Sequence, residues 1–145
     1  MTGIENRPTG RISVEVELTN HRDILRAEAG VIPPQQVRRA KVCAVAGTRA
    51  TRLVMSAKIA QQLGLETSGS AKVRYADGRT ADRNIVKEVH LTYGGRDSVF
   101  NAIVEPDRES VLIGAIVLED LDFLVDCINQ RLVPRDPKQI VSEAE

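Results

Sequence analysis

Strict alternation of apolar and polar residues marks the beginning of the ordered chain. Between Arg11 and Thr19 every second residue is apolar, and these residues are Ile12, Val14, Val16 and Leu18. This period places all four side chains on one face of an extended backbone. The segment therefore predicts a strand that is buried on one side.

Two segments carry helical signals. Residues 20–29 hold two apolar positions among charges and stop at Gly30, which suits a short helix or an irregular excursion. Ser56 precedes residues 57–63, whose apolar positions follow helical spacing, and Gly64 ends that segment. The pattern favours one or two short helices.

Two hairpins are predicted in the middle of the chain. Asp77-Gly78 separates the first pair of alternating runs, and Gly94-Gly95 separates the second pair. Such dipeptides are among the strongest hairpin signals. The runs are residues 71–75 with the chain from Arg79 onward, then residues 85–93 and 99–104. We expect the first hairpin to have an exposed tip.

The remaining apolar runs complete a mostly β pattern. They are residues 42–45, 53–55, 111–118, 123–128 and 130–133, with Asn129 between the last two. No internal repeat or low-complexity linker divides them. We expect a single domain over residues 1–145, with its core in residues 11–136 and polar tails at 1–10 and 137–145.

Composition and charge narrow the class of protein. The chain has 145 residues, enough for one core, with 42% apolar and 28% charged residues. Its 20 basic residues balance 20 acidic ones, so it lacks the overall basic field of a nucleic-acid-binding protein. No apolar stretch resembles a secretory signal or a membrane span. These features predict a cytoplasmic protein with neither nucleic acid nor membrane as partner.

Cysteine and histidine give no metal pattern. Cys43 and Cys127 both lie in apolar, strand-like runs, which favours reduced thiols in the core over a zinc set or a nucleophile. His21 and His90 are far apart in sequence, and His90 is expected on the exposed side of a strand. We therefore expect no metal and no cofactor.

An ordered series of short segments carries a family resemblance. The segments are residues 50–56, 59–65, 75–79, 112–119, 124–126 and 131–136. Their order and spacing, over roughly residues 42–136, resemble those of bacterial retropepsin-like aspartic proteases. The resemblance implies a small closed β barrel with one or two short helices. It also implies a homodimer in which each subunit donates one catalytic loop beneath a mobile flap hairpin.

The resemblance also assigns two structural elements around that loop. The flap would be formed by Tyr75, Ala76, Asp77, Gly78 and Arg79. The segment that packs behind the catalytic loop would be Leu112, Ile113 and Gly114. The N-terminal strand and the Leu132-Val133 strand are expected to contribute to subunit contacts, because unpaired strand edges favour a partner.

The catalytic motif itself is degenerate. The family carries Asp-Thr/Ser-Gly-Ala, whereas this chain reads Ala46-Gly47-Thr48-Arg49-Ala50. Gly47 takes the aspartate position in an ungapped alignment, and Ala46 takes it if one residue has been inserted. Neither side chain can hold or accept the proton that a pair of close carboxylates shares in such enzymes. Thr48 can still donate a hydrogen bond between the two loops.

Three charged residues have a functional interpretation beside a plainer one. Arg49 is either a clamp for an anion or a peptide carboxylate, or a solvated loop arginine, and the second is favoured. Asp77 is either a substitute catalytic acid or a turn former, and again the second is favoured. Asp126 follows an apolar pair at a structural strand position and has little catalytic weight.

Three functions remain open from the sequence. The leading hypothesis is a catalytically silent homologue, an expected dimer that binds an extended peptide or a protein beneath the flap. The first alternative is an active retropepsin-like endopeptidase that uses a displaced carboxylate. The second is a structural or regulatory interaction domain whose cleft has closed.

Overall fold

The protein is described here by a computed structural model that covers residues 11–47 and 49–144. Thr48, the tail 1–10 and Glu145 lie outside the described residues, so the predictions for them stay predictions. The strands are Arg11–Asn20 (β1), Arg39–Gly47 (β2), Leu53–Ser56 (β3), Thr67–Arg74 (β4), Thr80–Tyr93 (β5), Arg96–Glu105 (β6), Val111–Ile113 (β7), Phe123–Asp126 (β8) and Arg131–Pro134 (β9). The α-helices are His21–Glu28 (α1), Ala57–Gln62 (α2) and Ala115–Leu121 (α3).

Six strands close into a barrel. Their order is β1-β2-β7-β3-β6-β5, and β5 pairs back onto the end of β1 from Glu17↔Thr92 to Asn20↔Val89. Strand β4 extends the sheet beyond β5, while β8 and β9 form a separate two-stranded sheet. Closure leaves few open strand edges. The mostly β, closed-barrel class expected from the sequence is confirmed.

The barrel interior is apolar, and the buried residues of β1 largely follow the predicted alternation along the strand. In β1, Ile12, Val16 and Leu18 are at most 3% exposed, while Val14 packs against the core from a partly buried position. The largest fully buried side chains are Leu18, Leu53, Met55, Leu63, Leu91, Ile113, Val89, Val111 and Val117. One face of β1 thus supplies the core, as predicted.

Both predicted hairpins are present. The β5–β6 hairpin turns through Gly94 and Gly95, whose φ angles are 59° and 77°, and this pair of left-handed residues matches the twist of the flanking strands. The β4–β5 hairpin turns through Tyr75–Arg79, since Arg74 pairs with Thr80. Gly78 has φ 87° at that tip. The β4–β5 hairpin is called the flap hairpin below, after the role that the family resemblance implies for it.

Strand β5 departs from the expected uninterrupted alternation. Val86 and Val89 are both buried, although they are three residues apart. A register shift lies between them, and Glu88 adopts φ 62°. This bulge reverses which residues face the core, so that Leu91 is buried along with Val89.

The helices agree with the sequence only in part. Ser56 caps α2 as predicted, because its Oγ accepts a hydrogen bond from Ile59 N at 3.1 Å. Asn20 caps α1 in the same way through Asp23 N at 3.1 Å. The third helix, α3, exceeds the one or two expected. Its apolar residues continue those of β7, so the transition from strand to helix has no polar boundary.

None of the helices in the described ranges combines the length and the apolar character that crossing a membrane requires.

Candidate functional site

The degenerate motif lies at the end of β2, in the barrel wall. Ala46 is fully buried and pairs in parallel with Ile113 of β7, and Gly47 is buried opposite Arg11 of β1. Arg49 follows as an exposed residue. Ala46 is thus held by pairing on both sides of β2 and Gly47 by pairing with β1, and neither residue carries an acid.

Gly114 packs directly behind the segment that follows the motif. A Cβ on Gly114 would lie 2.5 Å from the carbonyl carbon of Thr51 and 2.6 Å from the backbone nitrogen of Arg52. Ala115 N donates to Ala50 O at 2.8 Å, and Ile116 N donates to Thr51 O at 2.9 Å. The start of α3 therefore fixes the path of the loop that joins β2 to β3. It does so through close backbone contacts that only a glycine at position 114 allows.

Leu112 joins the two strands that flank the loop. It pairs in parallel with Val45 of β2 and forms an antiparallel bridge to Val54 of β3. Its neighbour Ile113 is 2% exposed in the core. The Leu112–Gly114 segment, to which the resemblance assigned the supporting role, thus contacts the chain both before and after the motif.

The tip of the flap hairpin is held by Asp77. Its Oδ1 accepts a hydrogen bond from Arg79 N at 3.0 Å, and its Oδ2 accepts one from Arg79 Nε at 2.7 Å. These bonds hold the pKa of Asp77 below its ordinary value, and the bond from the Arg79 backbone contributes most. An exposed carboxylate that stays ionised and bonded to its own turn fits the turn-forming interpretation rather than that of a proton donor.

The root of the flap hairpin is tied to the barrel by three polar side chains. Tyr75 Oη donates to Glu105 Oε2 at 2.6 Å, and Arg83 Nε lies 2.6 Å from Glu105 Oε1 and 3.0 Å from Tyr75 Oη. The hydrogen bond to Glu105 raises the pKa of Tyr75, and the paired carboxylate raises the pKa of Arg83. This cluster was not predicted from the sequence, because its members are 8 to 30 residues apart.

A cavity of about 510 Å³ opens between the flap hairpin and the loop. Its lining comes from Arg49–Arg52 of the loop, Lys72–Ala76 of the flap hairpin, Val54, Ile103, Glu105 and Leu112 of the barrel wall, and Arg108 of the connection between β6 and β7. The motif residues Arg49 and Ala50 and the flap residues Tyr75 and Ala76 therefore share one cavity. Asp77, Gly78 and Arg79 at the flap tip, and Ile113 and Gly114 behind the loop, do not line it.

Asp126 lies apart from this cavity, in strand β8. Its Oδ1 accepts from Asn129 N at 3.1 Å and its Oδ2 accepts from Asn129 Nδ2 at 2.9 Å, which lowers its pKa. Arg131 lies 3.5 Å from the same carboxylate. Asp126 thus organises the β8–β9 turn, in keeping with the structural role favoured from the sequence.

The histidines are brought together in a way that the sequence did not indicate. The rings of His21 and His90 stack with centroids 6.2 Å apart. His21 Nδ1 lies 2.6 Å from Glu88 Oε2, and His90 Nε2 lies 2.6 Å from Asp97 Oδ2. Within the described ranges, no group of three or more histidine, cysteine, aspartate or glutamate residues has the arrangement of a metal site.

The prediction of two core cysteines was wrong. Cys43 is exposed and Cys127 is only partly buried. Cys43 stands opposite Glu15 on the outward side of β1 and β2, and the buried position is that of its neighbour Ala44. An apolar run in a barrel strand has two faces, and the run of residues 42–45 does not say which of them is inside.

Comparison with known proteins supports the fold alone. No protein-family model matches this sequence, and no curated protein matches it. Among solved structures, the chain is similar to the EIAV protease complexed with the inhibitor HBY-793, with a TM-score of 0.56 and 14% sequence identity. The match covers 78% of this chain and 89% of that chain. This protein therefore has the retropepsin-like fold of a retroviral protease.

Proposed function

We propose that this chain is a bacterial-type relative of the retropepsin-like aspartic proteases that has lost its catalytic motif, and that it binds an extended peptide as a dimer without cleaving it. The observation that carries the proposal is the cavity of about 510 Å³ beneath the flap hairpin. Such a volume is typical of ligand pockets. At its loop end the cavity presents Arg49 and Ala50, which directly follow the motif positions where an aspartic protease carries its acid.

The chemistry of peptide hydrolysis explains why the loop matters. Two close carboxylates share one proton, so that one activates water while the other protonates the leaving group. The side chains of Ala46 and Gly47 have no ionisable group. In a dimer the second subunit would lack the catalytic carboxylate as well. The proposed protein keeps the cavity and lacks the acid–base pair.

Glu105 does not replace the missing acid. It is the carboxylate among the described residues that line the cavity, but it lies at the end of β6 rather than in the loop. Both of its oxygens already accept hydrogen bonds, from Tyr75 and from Arg83. Activation of a water would require these bonds to break, which weighs against the active-peptidase alternative. The open cavity likewise weighs against a closed cleft.

The β8–β9 sheet supports a dimer. It stands outside the barrel sheet, and Leu124 of β8 and Ile128 of the β8–β9 turn are 50% and 85% exposed. Exposed apolar side chains on a short two-stranded sheet favour burial against a second copy. Leu132 on β9, by contrast, is 7% exposed and belongs to the core, so subunit contacts would come from the outer face of this sheet.

A peptide-library assay tests the proposal. The full chain is incubated with a broad library of unstructured peptides, and products and retained peptides are both identified by mass spectrometry. We expect retained peptides and no cleavage above the rate without protein. Turnover that disappears in Glu105→Gln, Asp77→Asn or Asp126→Asn would establish the displaced-carboxylate alternative instead. Retention of no peptide would contradict a binding function.

A further inference from the structure

The rim of the cavity is strongly basic. Five cationic side chains line it, and these are Arg49, Arg52, Lys72, Arg74 and Arg108. The carboxylate that lines it, Glu105, is already bound to Tyr75 and Arg83. Since the whole chain carries no net charge, this excess of positive charge belongs to the cavity rather than to the protein at large.

The positive charge continues to the position of the missing acid. A second cavity of about 290 Å³ adjoins the first and shares Arg49, Ala50, Arg108 and Leu112 with it. Gly47 and Arg11 complete its lining. Three arginines thus surround the place where a protease would hold its negative charge.

These arginines differ from most of the arginines elsewhere in the described residues. Arg22, Arg38, Arg83 and Arg135 each contact a carboxylate. None of the ion pairs within residues 11–47 and 49–144 involves Arg11, Arg49, Arg52 or Arg108. Arg108 donates instead to Ser110 O at 2.7 Å and to Ser110 Oγ at 3.3 Å.

Arg108 is a partly buried cation that has no ion pair among the described residues. It is only partly exposed, and burial lowers its pKa below the ordinary value. The positive charge of Arg11 lowers it further, while Glu105 opposes the shift. An anion in the cavity would offset both effects, because a nearby opposite charge favours the charged form of the guanidinium. In a two-fold dimer the second loop would add to the positive charge around Arg49.

The remaining lining favours a peptide over a nucleic acid. Val54, Val73, Ile103 and Leu112 give the cavity apolar surface beside the basic rim. Strand β4, whose end lines the cavity, is the last strand of its sheet and pairs on one side only, with β5. Bases need aromatic faces to stack on, and the aromatic residue among those that line the cavity is Tyr75, whose hydroxyl is already bound. An extended peptide can use both the strand edge and the apolar surface.

We propose that the ligand of this cavity is an extended peptide with acidic side chains between apolar ones, whose carboxylates are bound by Arg49 and Arg108. The inference rests on the proposed function, and it names the chemistry that the same cavity selects. Guanidinium groups pair with carboxylates through two parallel hydrogen bonds, which gives selectivity over neutral side chains.

Fluorescence anisotropy with three probes tests this on the full chain. The probes are a labelled peptide in which glutamate alternates with valine and alanine, its glutamine isostere, and a single-stranded oligonucleotide of the same charge. We expect the acidic peptide to bind at least about tenfold more tightly than the isostere, as several partly exposed ion pairs would give. Its affinity should fall as salt is raised.

Matched charge variants locate the effect. Arg49→Gln with Arg108→Gln should weaken the acidic peptide about tenfold and leave the isostere within about twofold. The control, Arg39→Gln with Lys41→Gln, removes the same charge from exposed positions of β2 outside the cavity and should change neither probe. Thermal melting identifies any variant that has lost its fold, and the salt dependence of the natural chain then serves as the test.

The other possible outcomes would contradict either the selectivity for acidic peptides or peptide binding itself. Equal affinity for the acidic peptide and its isostere would overturn the selectivity and leave peptide binding intact. Failure of both peptides to bind would overturn the proposed function as well. Binding of the oligonucleotide as tightly as the acidic peptide would show a general polyanion site and overturn the peptide assignment.

Discussion

The hydroxyl of Tyr75 donates a hydrogen bond to Oε2 of Glu105 at 2.6 Å, and this bond joins the flap hairpin to the barrel wall. Arg83 contacts both partners from the returning strand β5. The Glu105 carboxylate therefore couples the barrel wall to the root of the flap hairpin, and both of these line the cavity.

Removal of the Tyr75 hydroxyl should loosen the flap hairpin without unfolding the barrel. In Tyr75→Phe the ring stays while the donor to Glu105 is lost. We expect faster hydrogen exchange of backbone amides in residues 67–82 and unchanged exchange in β1 and β2. The control is Tyr93→Phe, whose ring packs edge-on against Phe123 with centroids 5.5 Å apart. Equal exchange in both variants would show that the bond does not hold the hairpin.

Addition of one methyl group to Gly114 should destabilise the loop. The new Cβ would lie 2.5 to 2.6 Å from backbone atoms of Thr51 and Arg52, which cannot move as a side chain can. We expect Gly114→Ala to lower the free energy of unfolding by about 3 kcal/mol, the upper part of the range for overpacking. Denaturant unfolding measures it.

Gly30→Ala is the control for that substitution. Its Cβ would meet nothing within 4 Å, but its φ of 76° is unfavourable for alanine. Its cost should be about 1 kcal/mol. If Gly114→Ala costs no more than this control, the loop is not held by close backbone contact.

The buried carboxylate of Asp23 should make stability depend on pH. Arg38 donates to it from Nε at 2.8 Å, and this bond is the main reason that its pKa lies below the ordinary 3.8. A lowered pKa stabilises the fold above the unfolded-state value and loses that contribution as pH falls through the folded-state value. Unfolding free energy should therefore decline below about pH 4.

Asp23→Asn should remove that part of the acid dependence. It should also cost about 2 kcal/mol at neutral pH, less than for a fully buried pair because the Arg38 side chain is 47% exposed. Denaturation at a series of pH values measures both effects. Asp82→Asn, at an exposed position of β5, is the control and should change neither. An unchanged acid limb in Asp23→Asn would refute the assignment.

Polar substitutions on the β8–β9 sheet should weaken self-association. Leu124→Ser with Ile128→Ser removes the two exposed apolar side chains of that sheet. We expect sedimentation equilibrium to show a dimer constant weakened at least tenfold, equal to about 1.4 kcal/mol. Val31→Ser, at a position that is 70% exposed elsewhere, should leave association unchanged. A natural chain that is monomeric at all concentrations would contradict the dimer.

The parts of the fold that local patterns specify were predicted well. The alternation in β1, the Gly94-Gly95 turn and the Ser56 cap each depend on residues close in sequence, and each is present. The bulge in β5 was missed because it requires a left-handed Glu88, a residue type that gives no such signal. Helix α3 was missed because an apolar block shows no period.

Contacts between segments that are distant in the chain could not be predicted from the sequence. Gly64 was read only as a helix end, yet the Arg38 guanidinium fills the space that its side chain would take, on the way to Asp23. The candidate motif could be located by resemblance, whereas the basic cavity could not. Arg49 and Arg108 are separated by almost 60 residues and meet only when the barrel closes.

Restoration of the acid would show whether the natural chain is inactive only because its catalytic aspartate is missing. Gly47→Asp with Arg49→Gly, and separately Ala46→Asp, are compared with the natural chain for cleavage of unstructured peptides, with dimerisation followed in all three. We expect no cleavage by the natural chain and cleavage by one of the restored variants, because the cavity and the loop support would already be in place. Cleavage by the natural chain itself, or a stable dimer that stays inactive in both restored variants, would contradict this expectation.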